Sequence, residues 1–258
     1  MIEFSVDQGV ATLVFNNPQK RNALEPAVRE ELAQRVAQVR DDDAVRVLII
    51  AGAGEHFSAG GDLKNIGSAG LGTAGWRARM QRSHRLVEEL LTLDKPIIAA
   101  VDGVAYGAGF SLALTADFIL ASTRARFCMS FMKVGFVPDL GAMFTLPRFV
   151  GAQRARELML SAREVGAEEA RQLGIAMEVL PPQELMSRAR AIAQSMVNAS
   201  PAAVSMVKRI MANPPQDLAS LLDAEANAQA VAAATEEHKT AVQRFLDKQP
   251  PAFSWPAR

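Results

Sequence analysis

The chain has 258 residues with 28 basic and 28 acidic side chains, enough for one large domain, or a domain with a smaller appendage, to bury its own core. A formal net charge of zero leaves no global field to draw in nucleic acid or an anionic membrane, so any charged partner site must be local. One cysteine, Cys128, excludes an internal disulfide, and no Cys/His cluster has metal-ligand spacing.

Met1-Ile2-Glu3-Phe4 lacks the charged and apolar regions of a signal peptide, and no apolar run approaches the roughly 18 residues of a membrane span. A soluble, cytoplasmic protein is the expectation. Short apolar runs alternate with stretches of helical period, which predicts an α/β fold. Val10 to Asn16 and Val45 to Ala51 read as strands. Between them, Glu25 to Val39 sets Val28, Leu32, Val36 and Val39 three and four residues apart, a stripe for a sheet to cover, and Pro26 suits the first helical turn. Ile66 to Gly75 is glycine-rich and predicted to be a mobile loop.

Pro96 to Val101 reads as a buried strand, Gly103 to Gly109 as a glycine-rich turn, Phe110 to Thr115 as the opening of a helix and Phe118 to Ala121 as another strand. Aromatic, Met and Pro residues crowd Ser122 to Pro147; residues 151 to 195 return to helices, broken at Pro181-Pro182. An Ala-rich helical segment follows. We expect a core over 1–195 and a helical oligomerisation region over 196–258, because so short an appendage buries little surface alone.

Three constellations could carry chemistry. His56-Phe57-Ser58-Ala59-Gly60-Gly61-Asp62-Leu63-Lys64 follows a strand, and its small residues let backbone N–H groups approach an anion or oxyanion; a plain tight turn accounts for it as well. Asp102 to Phe110 repeats that arrangement after a second strand, and two such turns can clamp one oxygen. It lacks the dinucleotide-binding spacing. Asp139, in a stretch with Phe131, Phe136, Met143 and Phe144, is either a partly desolvated base or a turn residue or helix N-cap in Pro-Asp-Leu-Gly. His56, His84 and His238 form no set, and neither a serine-hydrolase elbow nor a phosphate-binding P-loop is present.

Together these blocks resemble the enoyl-CoA hydratase/isomerase (crotonase) superfamily. Asn17 to Leu24 resembles its opening signature, Phe57 to Lys64 its F-x-A-G-x-D-[LI]-K segment, Val101 to Leu114 its central glycine block and Val134 to Gly151 its G-x-x-P-x-x-G…L-P-R-x-x-G block. The resemblance implies a spiral of ββα units with a C-terminal helical region that builds a homotrimer or dimer of trimers. It implies an acyl-CoA thioester substrate, with coenzyme A part of that substrate and no separate cofactor or metal. Backbone N–H groups of Gly61 and Ala108 would hold the thioester oxygen, each such donor being commonly worth about 100 to 1,000-fold in rate. Lys20 or Arg21, Ala59, Asp62 and Leu63 would contact the coenzyme, Gly107, Ser111 and Phe131 would line the substrate site, and Phe245 and Lys248 would reach a neighbour's coenzyme; the tail segment also reads as an ordinary amphipathic helix.

Departures from the pattern bear on the reaction. The two glutamates of hydratases are replaced by Ser111 and Phe131, which leaves Asp139, at the position where some isomerases of the family carry their acid. The resemblance thus implies an isomerase that shifts a double bond through an enolate. A hydratase with its base at Asp139, a nucleophilic Asp139 as in aryl-CoA dehalogenases, and a non-catalytic acyl-CoA binding subunit are the alternatives.

Overall fold

A computed structural model describes residues 1–64 and 70–257. Six strands form the main sheet in the order β1 (Ile2–Asp7), β2 (Val10–Phe15), β3 (Val47–Gly52), β4 (Ile97–Val101), β6 (Phe118–Ser122) and β9 (Glu178–Leu180). β1 runs antiparallel to β2 and the other neighbours are parallel. A smaller sheet joins β5 (Val104–Tyr106), β7 (Arg126–Cys128) and β8 (Glu164–Gly166).

Both faces of the main sheet are covered, which is why β3 and β4 are apolar along their whole length. Leu48, Ile50, Ile97, Ala99 and Val101 face the core that contains α1 (Pro26–Asp41). Val47, Ile49, Ala51, Ile98 and Ala100 face the opposite way, onto Leu185, Ala189, Ile192 and Ala193 of α6 (Pro182–Val197). The α1 stripe is as expected: Val28, Leu32, Val36 and Val39 are all buried, and Pro26 opens the helix. α2 (Thr73–Thr92) packs against α1. The predicted loop over Ile66 to Gly75 partly lies outside the described residues; Thr73, Ala74 and Gly75 belong to the first turn of α2.

A six-residue helix, α3 (Ala108–Ala113), follows β5 and is buried throughout. α4 (Ala142–Ser161) is broken at Gly151, and α5 (Ala167–Gln172) leads to β9. α7 (Pro201–Ala212) is tied to the core by Lys208 on Asp117 and a two-pronged Arg209 pair with Asp94 at 2.7 and 2.9 Å. α8 (Leu218–Ala233) and α9 (Glu236–Leu246) bury no residue in this chain. The tail then returns, with Trp255 against Phe118 and Arg188 donating to the carbonyls of Pro256 and Ala257. No helix is long and apolar enough to cross a membrane among the described residues.

Candidate active site

The parallel pairing of β3 with β4 sends both glycine turns out of the same edge of the sheet. There they zip together. Phe57 N donates to Asp102 O, Ser58 N to Val104 O and Tyr106 N to Ser58 O, so Ser58 and Ala105 form a parallel bridge. Gly60 shows how close the approach is: at φ 84°, a Cβ there would stand 2.4 Å from Tyr106 O and 3.2 Å from Ala108 N. Gly107, at φ 49°, donates its N–H to Cys128 O and turns the chain into α3.

The N–H groups of Gly61 and Ala108 are not used by these bonds. Among the described residues, neither Gly61 N–H nor Ala108 N–H donates to a protein acceptor. Both residues line one cavity of about 870 Å³, in the range of a small-molecule site. Ala108 is buried and Gly61 half-buried, and N–H groups left open at a cavity wall are available to a ligand oxygen.

Asn22, which sequence reasoning did not single out, holds this arrangement from behind. It is buried, donates through Nδ2 to the carbonyls of Ala53 and His56, accepts Asn17 N–H on Oδ1 and Ser58 Oγ–H on its own carbonyl. Its φ of 55° falls in the left-handed region that Asn tolerates better than most residues.

Asp139 lines the same cavity. The turn that delivers it has Leu140 at φ 49° and Gly141 at φ 76°, a left-handed pair that a β-branched residue would resist. Its carboxyl does not cap α4: the cap position is Gly141, without a side-chain hydrogen bond. Oδ1 is instead buried with no hydrogen-bond partner. Burial pushes the carboxyl above its ordinary value of 3.8, although the charges of Arg29, His84 and Arg79 pull the other way. A carboxyl so placed is a better proton acceptor near neutrality than a solvated one.

The surroundings of Asp139 differ in part from those expected. Phe131 and Phe136 line the cavity, but Met143 is 60 % exposed and Phe144 faces a second cleft between α4 and α7. Helical geometry explains the correction, because α4 turns these residues outward, where Arg148 sits 3.3 Å over the Phe144 ring. Their places are taken by residues of α2: Trp76, tilted against Phe136 at 5.5 Å, with Met80 and Arg79.

At the rim are Lys20, Ala59, Asp62 and Leu63. Lys20 is paired with Glu25 and lies 3.8 Å from Asp62, whose Oδ1 accepts Lys64 N–H at 2.9 Å. Gly107 also lines the cavity. Arg21, Ser111, Phe245 and Lys248 lie outside this wall. Ser111 is fully buried and its hydroxyl donates to Gly107 O at 3.2 Å, so it presents no polar group to the cavity. Phe245 is 81 % exposed on α9.

The remaining reactive groups nearby are quiet. Tyr106 donates to Glu164, and burial raises its phenol well beyond the usual range. Burial likewise raises the Cys128 thiol, which donates to Ala162 O. No group of three or more His, Cys, Asp or Glu side chains gathers as metal ligands would, among the described residues. What the site offers is two backbone donors at the wall of one cavity, one desolvated carboxyl and apolar walls.

Known proteins resemble this chain in sequence and fold. The sequence profile described as Enoyl-CoA hydratase/isomerase matches residues 5–255. The 1,2-epoxyphenylacetyl-CoA isomerase of Escherichia coli K12 is 34% identical over 98% of this chain and 99% of its own length. The carnitinyl-CoA dehydratase of the same strain is 40% identical over 74% of this chain and 72% of its own. The crystal structure of an enoyl-CoA hydratase/isomerase from Cupriavidus metallidurans CH34 superposes with a TM-score of 0.95 at 42% identity, covering 100% of this chain and 97% of that one. The fold is thus the crotonase fold, and the chain belongs to the enoyl-CoA hydratase/isomerase family.

Proposed function

We propose that this enzyme moves a double bond within an acyl-CoA thioester, using Asp139 as a single base and the N–H groups of Gly61 and Ala108 as the oxyanion site. The observation that carries the reading is the unpartnered, buried Oδ1 of Asp139 in the same cavity wall as two unpartnered backbone donors. With the thioester oxygen on those donors, the proton beside the carbonyl acidifies, because the electron pair it leaves behind is spread onto an oxygen already held by two dipoles. Asp139 takes that proton and returns it two carbons further along, so the double bond moves into conjugation and the mass is unchanged. Phe131, Phe136 and Trp76 keep water from the intermediate.

Lys20, Ala59, Asp62 and Leu63 at the rim suit the coenzyme part of the substrate, with no separate cofactor. The exposed apolar residues Leu218, Leu222, Phe245 and Leu246 support burial in a homotrimer or dimer of trimers, which would also bring Phe245 and Lys248 to a neighbour's site. The single buried Cys128 fits a cytoplasmic location.

A second reading, hydration or dehydration with Asp139 as base, is favoured by the dehydratase relative. Separate incubations with 3-enoyl-CoA and 2-enoyl-CoA thioesters, followed by absorbance and mass, discriminate the two. Conjugation without mass change supports isomerisation; gain of one water by the 2-enoyl thioester supports hydration. Ligand binding with no turnover of either would point to a binding subunit.

A further inference from the structure

Two guanidinium groups in the cavity wall, Arg29 and Arg79, have no salt-bridge partner among the described residues. Arg29 lies in the first turn of α1, where Nε donates to Leu24 O at 3.1 Å and Nη1 reaches Ser83 Oγ at a long 3.4 Å. Arg79 lies across from it on α2, its Cζ 5.2 Å from the Trp76 ring centroid. Among the described residues, no carboxylate stands within 4.0 Å of either guanidinium. The acid whose charge reaches both is Asp139, which stands beyond salt-bridge distance of either. Burial disfavours the Arg29 guanidinium, and holding it away from water without a carboxylate is costly, where an apolar or amide side chain would fill the space at lower cost.

The rim cations are different. Lys20 is exposed and already engaged with Glu25 and Asp62, and Lys133 is exposed. They suit the phosphates of a coenzyme, whereas Arg29 and Arg79 flank Asp139 on the α1–α2 wall. The geometry points to an anion subsite, formed by Arg29 and Arg79, that receives the far end of the acyl group and selects acyl-CoA substrates whose chain ends in a carboxylate. Bidentate pairing of a guanidinium with a carboxylate gives such a site its orientation as well as its charge. This inference rests on the acyl-CoA site proposed above.

Its test uses saturated thioesters, which bind without reacting. Calorimetry on the intact protein compares butanoyl-CoA with succinyl-CoA, hexanoyl-CoA with adipoyl-CoA and octanoyl-CoA with suberoyl-CoA. The dicarboxylic member of at least one pair is expected to bind about tenfold more tightly or better. Arg29→Gln and Arg79→Gln should each collapse that ratio, and Arg29→Lys should retain part of it. Equal or tighter binding of the neutral member in every pair overturns the subsite, with or without a folded Arg29 variant. So does an equal loss for both members in the variants, which would assign the arginines to holding Asp139. Because no turnover is measured, failure here is distinct from failure of isomerisation, which the enoyl-CoA assay reads.

Discussion

Two aspartates line the cavity and differ in almost everything but chemistry. Asp62 stands at the rim, where a backbone N–H and the Lys20 ammonium engage its two oxygens. Asp139 stands inside, with Oδ1 buried and unpartnered and its proton affinity raised by burial. The contrast teaches that the residue type does not assign the role. A carboxylate whose oxygens are engaged holds a turn or a cation in place; one left desolvated and unpaired has reason to take a proton.

The comparison breaks most readily by exchanging each carboxyl for an amide. Asp139→Asn should lower kcat by about 100 to 10,000-fold, with acyl-CoA affinity kept in a calorimetric titration. Asp62→Asn should act on KM, by only a few fold. Equal losses in kcat would abolish the distinction between rim and interior.

The donor side of the site allows a selective cut. Ala108 is the first residue of α3, a position where proline is tolerated because that N–H has no helical acceptor. Ala108→Pro should therefore leave the fold intact, checked by circular dichroism, while lowering kcat about 100 to 1,000-fold through loss of one oxyanion donor. Retained activity would show that the thioester oxygen binds elsewhere.

A pH profile sharpens the interior half of the contrast. Because Asp139 must be ionised to act and burial holds its pKa above 3.8, the acid limb of kcat/KM should lie above the ordinary aspartate range. Arg29, His84 and Arg79 are the charges that oppose this shift. Removing one of them in Arg29→Gln disfavours the anion, so the limb should move to higher pH; a shift to lower pH would contradict the electrostatic account.

The smallest effect is on stability. A carboxyl whose folded pKa is raised adds stability below its unfolded value and loses that contribution as pH rises through the folded value. Above its folded value the ionised Asp139 is thus a burden, and Asp139→Asn should raise Tm modestly there. The difference should vanish below about the unfolded aspartate value. A lower Tm at neutral pH would mean that Asp139 is held by a stabilising partner.

Much of this was legible in the sequence where periodicity is long. The α1 stripe, the strands on either side of it and the two glycine turns followed from spacing alone. The strands β5, β7, β8 and β9 have three residues each, too few for any period to register. β1 carries mostly exposed residues on the edge of the sheet. Asp139 stood out by its place in the family pattern and its Phe and Met neighbours, yet two of the four named neighbours, Met143 and Phe144, point away. Trp76 and Arg79 lie in an Arg-rich helix distant in sequence, and Arg29 directly follows a core position, Val28. Only the packing of α1 and α2 around the cavity brings these three to Asp139. Asn22 left a fainter signal: a polar residue within the opening signature, in a backbone conformation that few residue types accept.

The central claim is that a single desolvated carboxyl opposite two free backbone donors shifts a double bond. Purified wild-type and Asp139→Asn proteins incubated with a 3-enoyl-CoA thioester, with absorbance and mass followed together, test it most directly. The account predicts a rising conjugated-enoyl signal at constant mass with the wild-type protein and almost none with the variant. Equal rates for the two proteins, or a product heavier by one water, would contradict it.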